Sequence, residues 1–320
     1  MTANAAASVV WDDRALMDAS ADRLARARLA LEGLSLGDAF GETFFVPDAA
    51  RRVDAQELAR GLWRWTDDTA MAIGIVETLA ARGGIDQDEL ARRFAARYVA
   101  EPWRGYGPAM HQALRHIHAG RYWRPISHSL FSGGGSYGNG AAMRAPVIGA
   151  WHADDLDAVV RSARLSAEVT HAHPEAAAGA IAVALAAALA CHSEEGPAGE
   201  SLIATVLEQL PATDVRRGVE RALALELDSA IADAVQALGN GTQVSCQDTV
   251  PLVLWCAAHH LDDYRRALWK TVSALGDRDT TCAMVGGIVA CRLGHQGLPT
   301  DWLACREPLP TQHMRTTATA

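Results

Sequence analysis

Residues 176–191 read AAAGAIAVALAAALAC, the longest apolar run in the chain, and this run decides the fold class. It falls short of the ~20 residues that a membrane-spanning helix needs. Alanine is the best helix former and adds little girth, so the run suits a helix packed closely inside a bundle. Helical spacing recurs on both sides. Leu24, Ala27, Leu31 and Leu34 share a face from about Asp22, and Met71, Ile75 and Leu79 follow the same rule. Residues 85–99 are amphipathic, 207–238 repeat Leu and Ala against Asp and Arg, and further helix runs to Trp269 and from Met284 to Leu293. Period-2 alternation is almost absent. The expected fold is all-α, a single compact many-helix domain over residues 21–307. Residues 1–20 are expected to form an N-terminal extension and residues 308–320 a disordered tail.

The 320 residues are 49% hydrophobic and 21% charged, which predicts a soluble protein with ample core. A formal net charge of -9 argues against a nucleic acid gripped through its backbone. The cysteines Cys191, Cys246, Cys256, Cys282, Cys291 and Cys305 form no CxxC pair and no zinc spacing, and read as reduced core residues. With no basic flank leading into an apolar run at the N-terminus, no secretory signal is read. A cytoplasmic protein without a membrane span is expected.

Two helix starts carry the chemistry. Trp65-Thr66-Asp67-Asp68-Thr69 opens the run through Met71, and Asp277-Arg278-Asp279-Thr280-Thr281 opens the run at Met284. Hydroxyls and carboxylates at a helix start are ordinary caps that also favour the helix dipole. Two such starts folded together would gather four carboxylates and several hydroxyls, a hard-oxygen set that divalent cations would neutralise. Residues 132–140, SGGGSYGNG, are too rich in glycine for an element interior. They read either as a flexible linker or as backbone N–H groups presented to an anion ahead of a helix. No GxGxxG after a strand and no Walker lysine occurs, which argues against nucleotide hydrolysis and dinucleotide redox chemistry. His171 and His173 precede Pro174, placing both at the mouth of the alanine helix. Glycines four apart at Gly33, Gly37 and Gly41 predict a close helix crossing. His111, His116, His118 and His128 match no zinc signature and read as surface or partly packed residues.

Five segments in order make the sequence resemble the ADP-ribosylglycohydrolase family: GLSLGDAFG at 33–41, TDDT at 66–69, GSYGNGAAMR at 135–144, THAHPEA at 170–176 and GDRDTTCAM at 276–284. The resemblance spans roughly residues 23–300. It implies an all-α domain with two divalent cations, Mg²⁺ or Mn²⁺, in a cleft. Thr66, Asp67 and Asp68 would hold one ion, and Asp277, Asp279 and Thr280 the other, with Asp279 shared. Gly135, Ser136, Tyr137, Gly138 and Asn139 would receive the diphosphate and adjacent ribose, with His171 lining the same pocket. The implied reaction is hydrolysis of the bond joining ADP-ribose to a modified side chain, arginine first, on an ADP-ribosylated protein substrate. Cleavage at the anomeric carbon passes through an oxocarbenium-like transition state. Divalent ions can hold ribose hydroxyls and acidify a water. Asp67 or Asp68 would orient that water or accept its proton.

The sequence departs from the family pattern twice. Arg278 stands between two ligand carboxylates, where the family often has a small or neutral residue, and is expected to point away from them. Phe45 stands where serine-directed members carry a gating glutamate, with Glu42 nearby but offset, which favours arginine or another linkage over serine. Three rival readings differ in class. The protein could bind ADP-ribose without cleaving it, or act as an immunity protein that neutralises a cognate ADP-ribosyltransferase by contact through residues 1–20. It could hydrolyse a small-molecule or nucleic-acid conjugate instead. A purely structural helical protein leaves the doubled carboxylate pairs unexplained. Metal-dependent release of free ADP-ribose separates enzyme from binder.

Overall fold

The computed structural model describes residues 13–192 and 196–310. Residues 1–12 and 311–320, which take in much of the expected extension and tail, lie outside the described residues. The fold is all-α, as the spacing predicts. In order the helices are α1 (Asp13–Glu42), α2 (Ala49–Asp54), α3 (Asp67–Arg82), α4 (Gln87–Ala100), α5 (Pro108–His118), α6 (Trp123–Ser129), α7 (Pro146–Trp151) and α8 (Leu156–Glu168). There follow α9 (Pro174–Ala190), α10 (Glu200–Glu208), α11 (Asp214–Ala224), α12 (Ile231–Leu238), α13 (Cys246–His259), α14 (Tyr264–Val272), α15 (Arg278–Leu293) and α16 (Thr300–Cys305). Among the described residues no strand forms, and two isolated bridges, Trp63–Arg306 and Gly138–Ser245, are the extended pairings. No helix of the described residues is long and apolar enough to cross a membrane. The first helix opens at Asp13, well before Asp22, because Arg14-Ala15-Leu16-Met17 are all strong helix formers.

The alanine helix α9 sits at the centre. Nearly every residue from Glu175 to Ala190 is buried, and α7, α8, α13 and α15 all pack on it. A helix surrounded on all sides is apolar all round, which explains why this stretch shows no polar face. Its N-terminus is fixed by His173, whose Nδ1 accepts from the Glu175 N–H, and by Pro174 in the first turn. Glu175 in turn accepts from the N–H groups of Asp214 and Val215, closing the start of α11.

The glycine stripe of α1 produces the crossing that builds the site. Gly33, Gly37 and Gly41 face Gly286, Cys282 and Arg278 of α15 in turn, so the two helices run antiparallel with backbones in contact. A Cβ at Gly37 would lie 2.0 Å from the Cys282 carbonyl oxygen, and one at Gly41 would lie 2.2 Å from that of Arg278. Each glycine costs about 1 kcal/mol of helix propensity, offset by this packing. The chemical consequence is that Asp38, next to Gly37, is carried against the first turn of α15. Two residues beyond Asp38, Phe40 stacks on Trp302 with ring centroids 4.6 Å apart and ties α16 to the same core.

Candidate active site

Three elements converge on one acidic cluster. The starts of α3 and α15 bring Thr66, Asp67 and Asp68 together with Asp277, Asp279 and Thr280, and α1 adds Asp38 from beneath. One carboxylate oxygen each from Asp38, Asp68 and Asp279 lie within 4.8 Å of one another, a group that could hold a metal ion. Asp38 is fully buried. It accepts from the Thr66 N–H at 2.9 Å, the Thr66 hydroxyl at 2.9 Å, and the N–H and hydroxyl of Thr69. Thr66 Oγ1 also lies 3.0 Å from an Asp68 carboxyl oxygen, and Thr280 Oγ1 approaches the same Asp68 oxygen at 3.4 Å.

The loop before α5 fixes Asp67. Arg104 is buried with its guanidinium 3.4 Å from the Trp65 ring centroid, and it grips Glu307 through both Nη atoms at 2.7 and 2.9 Å. Its carbonyl accepts from the Asp67 N–H at 2.7 Å, so this ion pair anchors the start of α3.

Packing five carboxyl groups together resists ionisation. Burial, then Asp38, pushes Asp67 up to about 8, and burial against four lowering hydrogen bonds leaves Asp38 at about 6. Burial and neighbouring carboxylates hold Asp68 and Asp279 well above the ordinary carboxyl range, and burial raises Asp277. The buried Oδ1 atoms of Asp68 and Asp279 have no hydrogen-bond partner among the described residues. Orphaned hard-oxygen atoms among mutually repelling carboxyls fit a divalent cation, which would reverse these shifts.

Beside the cluster opens a cavity of about 620 Å³, lined by Asp67, Asp277, Asp279 and Thr280 on one side and Ser136, Tyr137, Gly138, Asn139 and His171 on the other. Gly135 does not line it. With φ +72° and its backbone pressed against Ala172 and His173, Gly135 instead docks the loop onto the start of α9. The N–H groups of Ser136 and Tyr137 meet no acceptor among the described residues, as an anion-receiving loop requires. Asn139 commits its amide hydrogens to Asp277 at 2.7 Å and Thr249 at 3.2 Å, and so braces the acidic cluster. Phe131 and Tyr137 expose roughly parallel rings at the cavity mouth, centroids 6.4 Å apart.

The ADP-ribosylglycohydrolase family model matches residues 19–319. The chain belongs to that family. ADP-ribosylhydrolase ARH3 of Gallus gallus is 31% identical over 97% of this chain and 96% of its own. ARH3 of Homo sapiens is 30% identical over 88% and 89%. The ADP-ribosyl-[dinitrogen reductase] glycohydrolase of Rhodospirillum rubrum is 26% identical over 87% and 89%. A solved chain described as an ADP-ribosylglycohydrolase-related protein complex shares the fold with a TM-score of 0.59, at 23% identity, over 90% of this chain and 94% of that one.

Two residues of this ADP-ribosylglycohydrolase were not singled out from sequence. Asp38 lay inside a segment read for its glycines, yet a carboxylate on the small-residue face of a buried helix is itself a signal. Phe131 stands outside the glycine-rich stretch, and no local pattern marks it. Arg278 hydrogen-bonds the Phe44 carbonyl at 2.8 Å and lies over the Phe45 ring, so its charge points away from the cluster.

Proposed function

We propose that this protein is a metal-dependent hydrolase that removes ADP-ribose from a modified protein side chain, with arginine the first linkage to test. The observation that carries this reading is the single cavity with a carboxylate cluster on one wall and a glycine-rich anion loop on the other. Thr66, Asp67 and Asp68 would hold one divalent cation and Asp277, Asp279 and Thr280 a second, Mg²⁺ or Mn²⁺, with Asp38 backing both sets. Such ions supply charge neutralisation, a grip on ribose hydroxyls and acidification of a water. The free N–H groups of Ser136 and Tyr137 suit the diphosphate, and the Phe131 and Tyr137 rings offer apolar faces to the base. Asp67 faces the cavity and would orient the attacking water and take its proton, with Asp68 behind it. As the water oxygen bonds to the anomeric carbon the glycosidic bond breaks with its electron pair on the departing atom, and the proton taken from the water passes to that atom, giving ADP-ribose and the restored side chain.

The test is release of ADP-ribose from arginine-modified and serine-modified protein, with Mg²⁺ or Mn²⁺ and then with chelator. Asp67→Ala and Asp279→Ala should each lower turnover at least about a hundredfold. Release that survives both chelator and Asp67→Ala would sink the proposal. Release from serine alone would keep the hydrolase and overturn the arginine linkage.

A further inference from the structure

Arg144 closes the GSYGNGAAMR segment, and the functional reading above gives it no task. Its side chain is fully buried. The Nη2 atom donates to the Ser166 carbonyl at 2.8 Å and to the Thr170 hydroxyl at 2.9 Å, and the guanidinium lies over the Phe94 ring at 4.5 Å. Thr170 Oγ1 is in turn 2.7 Å from Nδ1 of His171. These three groups form a chain whose direction can be derived.

A guanidinium only donates, so Thr170 Oγ1 must accept from Arg144. Two arrangements of the next link remain. If His171 carried its proton on Nδ1 and donated to Thr170, the Thr170 hydroxyl hydrogen would be left in a buried site with no acceptor among the described residues. Leaving a buried donor unpaired is costly. If Thr170 donates to Nδ1 instead, the buried Thr170 hydroxyl hydrogen has its acceptor, and the hydrogen without a partner is the one on the cavity side of the ring. The imidazole proton then sits on Nε2, because the hydrogen bond at one ring nitrogen sets the other. That edge of the ring takes no hydrogen-bond partner among the described residues, and the ring lines the cavity. Gly138 and Gly140 press against it, and a Cβ at Gly140 would lie 2.9 Å from Nε2. Any larger residue there would cover the donor.

We propose that Arg144 is a positioning residue which, through Thr170, locks His171 as the Nε2–H tautomer and so makes it a hydrogen-bond donor to a diphosphate oxygen of the substrate. The ligand half of this inference rests on the reading of the cavity as an ADP-ribose site. An Nε2 that carries a hydrogen has no lone pair for a metal ion and cannot act as the base that takes the water's proton. His171 is thereby assigned to binding and the proton transfer is left to the carboxylates. Burial and the nearby Arg144 charge push His171 down to about 3, which keeps the ring uncharged in the unliganded protein.

Long-range ¹H–¹⁵N spectra of the imidazole rings in the full-length protein, assigned by comparison with His171→Gln, read the tautomer directly. Wild type should show Nδ1 bare and Nε2 protonated. Thr170→Val keeps the volume and removes the hydroxyl. It should shift His171 towards a mixture of tautomers and weaken ADP-ribose binding about tenfold, whereas Thr170→Ser should restore both within about twofold. A wild-type ring protonated on Nδ1, or a Thr170→Val ring unchanged from wild type, would overturn the relay. A protonated Nε2 in a wild type that fails to bind ADP-ribose would support the relay and overturn the ligand assignment instead.

Discussion

The two acidic helix starts look alike in sequence and are built differently. At α3, Thr66 is a true cap: its hydroxyl oxygen accepts from the Asp68 N–H at 3.4 Å. Further donors of that first turn, the N–H groups of Thr66 and Thr69, go to Asp38 on another helix. At α15, Asp277 occupies the cap position without capping, and its carboxylate accepts from Asn139 instead. One start is closed by a remote carboxylate, and the other is held open from the side. The difference teaches that capping at α3 does not consume the carboxylates, because the cap there is a hydroxyl. At α15 the carboxylate forgoes the cap, which points to a demand for its oxygens elsewhere.

Replacing the remote and the local carboxylate in parallel gives the largest expected contrast. Asp38→Ala leaves the Thr66 and Thr69 donors unpaired in a dry site and should lower unfolding free energy by about 2–4 kcal/mol, partly offset by relief of repulsion. Asp277→Ala removes a carboxyl from the same crowd together with its hydrogen bonds to Asn139, Asp279 and Thr280, but Asn139 keeps Thr249 and Thr280 keeps Asp68, so stability should change by less than about 1 kcal/mol. Both should lose at least about a hundredfold in ADP-ribose release. Urea unfolding under chelator, with activity measured alongside, checks this. Equal destabilisation by the two substitutions would break the comparison.

The pH dependence of the metal-free protein gives a smaller effect of defined sign. Asp38 at about 6 and Asp67 at about 8 lie above the ~3.9 of an unfolded aspartate. Between those limits the folded state binds more protons, so stability contributed by these groups is complete near pH 4 and is lost as pH rises towards 8. Under chelator the melting temperature of wild type should therefore fall by roughly 5 °C between pH 5 and pH 8 relative to Asp67→Asn. Added Mg²⁺ or Mn²⁺ should restore most of it, and more at pH 8 than at pH 5. Parallel wild-type and Asp67→Asn curves would show that Asp67 does not resist ionisation.

Much of this was legible because it is local. The alanine run, the apolar spacing and the glycines four apart each state a periodicity, and periodicity is what one helix writes into its own sequence. The acidic starts were legible for the same reason. What was not legible is the remote partner. Nothing near Asp38 says that a turn 28 residues on will direct four donors at it. Likewise Asn139 looked like part of an anion loop, and only the folded chain shows its amide bound to a residue 138 positions away. Arg104 shows the same limit, since Glu307 closes its ion pair from the end of the described chain.

Arg278 tests the smallest difference between the two starts, because it is the one residue of either acidic motif whose charge could oppose a cation. Its Nη1 donates to the Phe44 carbonyl, and its guanidinium lies 4.8 Å from the Phe45 ring centroid. Both contacts hold it against the end of α1, on the side away from the cavity. Arg278→Ala should therefore leave ADP-ribose release within about threefold of wild type, and cost about 0.5–1 kcal/mol for the lost hydrogen bond and ring contact. Metal affinity is the sharper readout. A guanidinium that faces away makes no difference to the cation concentration at half-maximal activity, whereas one that swings towards Asp277 and Asp279 competes with the ion. A marked gain in apparent metal affinity in Arg278→Ala would mean that the second start spends part of its negative charge on its own arginine, and that only the first is fully open to metal.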